Sequence, residues 1–128
     1  MYFPVTTLYA SLLGILLIAL SNQVSSNRRR SKVSLGHGGN SQLERTMRAH
    51  GNFVEYVPLA LVLMMLLETE VTELWLIHSM GAMLLGGRLL HAYGMFSPDG
   101  VIAGRWWGTA LTWLMILLTS LLNLWHLV

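Results

Sequence analysis

The stretch RTMRAHGNFVEYVPLALVLMM, residues 45–65, carries two arginines, a histidine, an asparagine and a glutamate into the start of an apolar run. Ionisable side chains are costly inside a membrane, and they normally face a cavity or one another. The apolar residues that follow are typical of a helix within the bilayer. The stretch therefore predicts a membrane helix whose first half has a polar face.

The composition of the whole chain agrees with a membrane protein. Its 128 residues are 54% hydrophobic and only 11% charged, whereas a soluble domain has about 25% charged residues. This length predicts a single domain over residues 1–128. The absence of cysteine excludes disulfides and thiolate metal sites. The pI of about 9.4 comes from a few arginines and not from a broad basic face, so no nucleic-acid partner is expected.

The N-terminal apolar segment, residues 5–21, is long enough to cross a bilayer. The basic run RRRSK, residues 28–32, comes after this segment, whereas a signal peptide carries its positive charge before the apolar stretch. We therefore expect an uncleaved first span. The positive-inside rule places its N-terminus outside and its C-terminal end in the cytoplasm.

Three further helices are predicted after this span. The second begins near Ser41 or Gln42 and ends at about Glu68, the third covers roughly residues 72–93, and the fourth begins near Ile102 or Arg105 and runs to the end. They are separated by a loop at 31–42, an acidic turn at 68–73 and a break at 94–100. The prediction is an all-α bundle of four transmembrane helices with both termini outside.

The polar residues of the second helix follow helical spacing. Arg45, Arg48, Asn52 and Glu55 are spaced i, i+3, i+7 and i+10, so a helix places them within a stripe roughly 80° wide. A continuous stripe of this kind predicts a polar face directed toward a cavity or toward other polar groups. A single four-helix unit has little interior for so many charges, so we expect the stripe at a boundary between subunits.

Arg88 and His91 lie near the end of the third helix, and Arg105 opens the fourth. In an antiparallel bundle these side chains reach the same depth as the stripe, so we expect one cluster. The cluster has two interpretations. Glu55 pairs with Arg48 or Arg88 as a structural ion pair, or the excess positive charge binds an anionic ligand. A metal site is not expected, because His91 and Glu55 supply only two ligands.

The segment ERTMRAHGNFVEYVPL, residues 44–59, resembles the R-A-x-x-N-x-x-E-Y-x-P signature of the MAPEG superfamily, the membrane-associated proteins in eicosanoid and glutathione metabolism. The segment GRLLHAYG, residues 87–94, is similar to the family's third helix. The resemblance, closest to small bacterial members, implies a multi-pass protein of the bacterial inner membrane. It also implies a homotrimer that binds glutathione between subunits near the cytoplasmic face.

The resemblance further implies a role for each site residue. The residues matched to glutathione binding are Arg48, Asn52, Glu55, Tyr56, Arg88 and His91, and the catalytic residue that stabilises the glutathione thiolate is Arg105. The implied function is a transferase or peroxidase acting on lipophilic electrophiles drawn from membrane lipid. The alternative is a non-catalytic lipid-binding or accessory membrane protein. The chain departs from the family at Met95, where a tyrosine is expected.

The membrane orientation is a first testable prediction. Residues 22–43 and 94–104 should face the cytoplasm and both termini should lie outside, because RRRSK follows the first span. A reporter enzyme fused after Val128 should therefore be active only if it functions outside the cytoplasm. Activity restricted to a cytoplasmic reporter would contradict this orientation.

Overall fold

The protein is a bundle of four antiparallel α-helices, as described by a computed structural model for residues 2–97 and 102–128. The helices are α1 (Pro4–Ser31), α2 (Ser41–Glu70), α3 (Leu74–Phe96) and α4 (Ile102–His126). Within those two ranges there is no β-strand. The predicted all-α fold and its helix order are confirmed. The predicted assembly into trimers stays a prediction.

Three of the helices, α1, α2 and α4, are long and apolar enough to cross a membrane. The remaining helix, α3, has 23 residues, which correspond to about 35 Å, against a hydrocarbon core of about 30 Å. It packs against all three other helices. This inner position explains how α3 accommodates Arg88 and His91, which are both buried. We therefore treat α3 as the fourth transmembrane helix.

The observed helix ends differ from the predicted ones in three places. Helix α1 continues beyond the predicted span of residues 5–21 to Ser31, so the basic residues 28–30 belong to its last turn. The predicted acidic turn is wrong at its start, because Glu68 is helical and buried in α2. Helix α3 continues to Phe96, so the predicted break begins later, and its residues 98–100 lie outside the described residues.

The first turn of α1 is capped by a side chain from another helix. Pro4 occupies the start of α1, and the preceding residue, Phe3, makes no side-chain cap. Instead, the buried carboxylate of Glu68 accepts hydrogen bonds from the backbone N–H groups of Val5 and Thr6, each at 2.8 Å. A helix N-terminus combines unpaired N–H groups with positive dipole charge, and both favour a carboxylate there. Glu68 therefore joins the end of α2 to the beginning of α1.

Glycines allow α3 and α4 to pack backbone against backbone. A Cβ atom added at Gly108 would lie 2.5 Å from the carbonyl oxygen of Gly87, and one added at Gly87 would lie 3.0 Å from the hydroxyl of Thr112. Neither contact leaves room for a side chain. Small residues permit this close approach of membrane helices, and it brings the backbone of α4 within reach of the side chains of α3.

A second prediction concerns the capping carboxylate. Glu68→Gln should lower the free energy of unfolding in detergent by about 2 kcal/mol, because an amide presents only one acceptor oxygen to the two N–H groups. Thermal or denaturant unfolding measures the change. The matched control is Glu70→Gln, which removes the same charge from an exposed position of the same helix and should cost less than about 0.5 kcal/mol. Equal stability of the two variants would contradict the capping role.

Candidate functional site

A groove of about 700 Å³ opens between α2 and α4, with the end of α3 as its floor. Its volume lies within the range of small-molecule sites, about 300–1,000 Å³. Five residues singled out from the sequence line this groove together: Arg48, Asn52 and Glu55 from α2, His91 from α3, and Arg105 from α4. The antiparallel packing thus brings polar residues from three helices to one depth, as their positions in the sequence predict.

The groove carries more positive than negative charge in its wall. Arg48 and Arg105 provide two guanidinium groups, whereas Glu55 provides one carboxylate. All three side chains are exposed in the single chain, while the imidazole of His91 is buried in the floor. Guanidinium groups bind carboxylates and phosphates through paired hydrogen bonds. The charge of the groove therefore favours an anionic ligand that also carries a cationic group for Glu55.

The opposite side of the groove is apolar and aromatic. Ile102, Trp106 and Trp113 line it, all of them exposed. Tyr56 packs edge to face against Trp113, with ring centroids 6.4 Å apart, but Tyr56 itself does not reach the wall of the groove. The groove thus combines a charged half with an apolar half, and it suits a polar molecule beside a lipophilic one.

Arg88 lies behind the groove and not in its wall. The side chain is only 2% exposed, and its three nitrogen atoms all donate to neutral oxygens. Nε donates to the hydroxyl of Thr112 at 3.1 Å, and one terminal nitrogen donates to the carbonyl of Gly108 at 3.3 Å. The other terminal nitrogen donates to the side-chain oxygen of Asn52. The structural interpretation pairs Glu55 with either Arg48 or Arg88, and the bonds of Arg88 exclude the second of these two pairs in this chain.

The bond from Arg88 fixes the orientation of the Asn52 amide. A guanidinium has only donors, so the atom of Asn52 that receives the bond must be the amide oxygen. The NH₂ group of Asn52 is then the end of the amide left for the groove. Arg88 thus acts on the groove through Asn52, which presents donors to a ligand.

The predicted single cluster is divided by the structure. Arg45, at the edge of the polar stripe, lines a separate cavity that also includes Asn27 of α1, and not the groove. The stripe is wide enough that its edge turns toward α1 while its centre faces α4. The prediction that Arg45 joins the other arginines is wrong for this reason.

The hydroxyl of Thr112 and the carbonyl of Gly108 are acceptors that were not singled out from the sequence. A signal for them exists, because Gly104, Gly108 and Thr112 are spaced four residues apart and share one face of α4. Such a row of small residues is typical of a face that packs closely on another helix. The row does not by itself indicate that a buried arginine lies opposite.

Across residues 2–97 and 102–128, no three histidine, aspartate or glutamate side chains converge as a metal site. The groove contributes only His91 and Glu55 from these residue types.

Comparison with known proteins covers nearly the whole bundle. Residues 6–125 match the MAPEG family. The inner membrane protein YecN of Escherichia coli strain K12 is 42% identical over 123 residues, which cover 96% of this chain and 92% of YecN. The inner membrane protein YecN of Escherichia coli O6:H1 strain CFT073 matches with the same identity and the same coverage. The matched region includes every residue that lines the groove.

A third prediction tests the support of Arg88. Thr112→Val removes the acceptor of Nε and leaves a buried guanidinium N–H without a partner, so it should lower the free energy of unfolding by about 2 kcal/mol. Thr112→Ser restores the hydroxyl and should recover more than half of that loss. Unfolding in detergent measures both variants.

The matched control for this prediction is Thr119→Val. Thr119 is also fully buried in α4, but its hydroxyl donates only within the helix, to the carbonyl of Met115 at 2.7 Å. This substitution should therefore cost clearly less. Equal losses at the two threonines would mean that the contact with Arg88 contributes nothing to stability.

Proposed function

Because the chain belongs to the MAPEG family, we propose that it is a glutathione-dependent membrane transferase or peroxidase acting on lipophilic electrophiles. The observation that carries the proposal is the groove, in which Arg48, Asn52, Glu55, His91 and Arg105 meet beside an apolar wall. We assign the protein to the inner membrane, the membrane named for its relative YecN.

Glutathione has two carboxylates, one ammonium group and a thiol, and the groove supplies a partner for each. We assign the carboxylates to Arg48 and to the NH₂ group of Asn52, which Arg88 orients. Glu55 accepts hydrogen bonds from the ammonium group. His91 lies in the floor beside the ligand, and Tyr56 supports the site by packing on Trp113.

We assign activation of the thiol to Arg105. It lies in the first turn of α4, which begins at Ile102, where the helix dipole adds to the charge of the guanidinium. A free thiol has a pKa of about 8.5 and is mostly protonated at neutral pH. A nearby guanidinium favours the thiolate, which is the nucleophile. In the transferase reaction the thiolate forms a C–S bond to the electrophile as the leaving group departs with the bonding electrons.

The apolar half of the groove is the proposed entry for the second substrate. Trp106 and Trp113 are exposed on this side, so a molecule dissolved in the lipid can reach the thiol without crossing water.

We further propose that the protein is a homotrimer with the groove at the subunit boundary. Arg48 and Glu55 are exposed in the single chain, and a neighbouring subunit would shield these charges from lipid.

The alternative is a non-catalytic lipid-binding or accessory membrane protein of the same fold, and Met95 favours it. This side chain lines the groove at the position where the family resemblance predicts a tyrosine. A thioether cannot donate a hydrogen bond to a sulfur or oxygen anion. In that case the groove would hold a ligand without activating it.

A titration of the detergent-purified protein with glutathione tests the proposal. Saturable binding together with displacement of chloride from chlorodinitrobenzene supports an enzyme, whereas binding without turnover of this or a hydroperoxide substrate supports the non-catalytic alternative. Absence of glutathione binding would reject the enzyme, and the lipid-binding alternative would then be the one that remains. Mass determination of the same sample reports whether the bound species is a trimer, and a monomer that binds glutathione would reject the boundary location.

A fourth prediction distinguishes the role of Arg105 in activating the thiol from the role of the residues that bind the ligand. Arg105→Ala should raise the pKa of the bound thiol by about 1 and lower turnover about tenfold, with affinity nearly unchanged, because the lost interaction acts mainly on the ionised sulfur. Arg48→Ala should instead weaken affinity about tenfold. Thiolate absorbance against pH, measured at equal site occupancy, distinguishes the two variants. Identical titration curves for the parent and Arg105→Ala would remove Arg105 from the mechanism.

A further inference from the structure

A second cavity, of about 370 Å³, lies at the same end of the bundle as the groove but between other helix faces. It lies between the last turns of α1, the first turns of α2 and the end of α3, and it is partly open. Its polar lining residues are Gln23, Asn27, Gln42, Arg45 and Thr46. We call it the amide cavity, because three of these five residues carry amide side chains. The function proposed above makes no use of it.

The lining of the amide cavity is rich in hydrogen-bond donors and has one cation. Arg45 supplies a guanidinium, and the amides of Gln23 and Gln42 are exposed and free to reorient. Asn27 is 8% exposed, and its amide nitrogen makes only a long contact of 3.5 Å with the hydroxyl of Thr46. Within the described part of the chain, the wall contains no carboxylate. Donors converging around one guanidinium without a carboxylate fit a multidentate anion.

The position of the amide cavity along the bundle narrows the kind of anion. Asn27 directly precedes the three arginines that end α1, and a basic helix end of this type lies at the depth of lipid headgroups. Basic pockets between helices at this depth bind headgroup phosphates. A phosphate has more acceptor oxygens than a carboxylate, and it can therefore engage Arg45 and several amides together.

We propose that the amide cavity binds a phosphate group, with Arg45 as its cation and Gln23, Gln42 and Asn27 as donors. The phosphate comes from a phospholipid headgroup or from free phosphate, and both sources present anionic phosphoryl oxygens. Met95 lines both the amide cavity and the groove, so the two sites share one side chain. The proposal does not depend on glutathione binding.

The test measures thermal stabilisation of the delipidated protein in a maltoside detergent at constant ionic strength. One arm adds short-chain phosphatidylglycerol, and the other adds inorganic phosphate. Stabilisation by phosphatidylglycerol alone assigns the site to a lipid headgroup, and stabilisation by both assigns it to phosphate in general. In either case Arg45→Gln should weaken the apparent affinity about tenfold. Stabilisation by neither probe overturns the proposal.

The matched control is Arg29→Gln, which removes the same charge from an exposed position at the end of α1 outside the cavity. It should leave the stabilisation intact, and an equal loss in the two variants would mean that only general surface charge is involved. If Arg45→Gln does not fold, Gln42→Glu serves instead. It places a carboxylate in the wall at the start of α2, where the helix dipole tolerates it, and it should abolish binding. Unchanged binding would overturn the proposal.

Discussion

A guanidinium buried among membrane helices must be surrounded by acceptors, and much of this structure follows from how Arg88 obtains them. Its partners are a hydroxyl, a backbone carbonyl and an amide oxygen, which come from α4 and α2. None of these three acceptors is charged, so the positive charge is solvated without being neutralised. An unpaired buried donor would be costly, and this requirement ties three helices to one another at a defined register.

Two other features depend on that arrangement. The carbonyl of Gly108 comes within reach of Arg88 only because Gly87 and Gly108 allow α3 and α4 to touch. The amide of Asn52 turns its oxygen inward because Arg88 donates a hydrogen bond to it, and the NH₂ group is left for the groove. The charge of Arg88 remains behind that wall, where it adds to the positive potential contributed by Arg48 and Arg105. Packing and ligand preference therefore originate in the same buried group.

The predictable part of this architecture is the part encoded by local periodicity. Spacing along α2 was sufficient to bring Arg48, Asn52 and Glu55 to one surface, and antiparallel packing brought His91 and Arg105 to the same depth. The departures have a different origin. A stripe 80° wide does not indicate which neighbouring helix its edge meets. The spacing therefore does not reveal that Arg45 lies apart from the groove, in the cavity beside α1. The cap formed by Glu68 joins residues 62 and 63 positions apart, and no local pattern encodes a contact of that separation.

That cap has a consequence for how the protein is made. Helix α1 is synthesised first, yet the carboxylate that satisfies its opening N–H groups belongs to the last turn of α2. Inside or near a bilayer those N–H groups have few other partners. The N-terminal end of the first span is thus incomplete until the second has crossed back and delivered Glu68 to it. Insertion of the first two helices as a hairpin, rather than one after the other, lets the end of α1 form at the moment the pair closes.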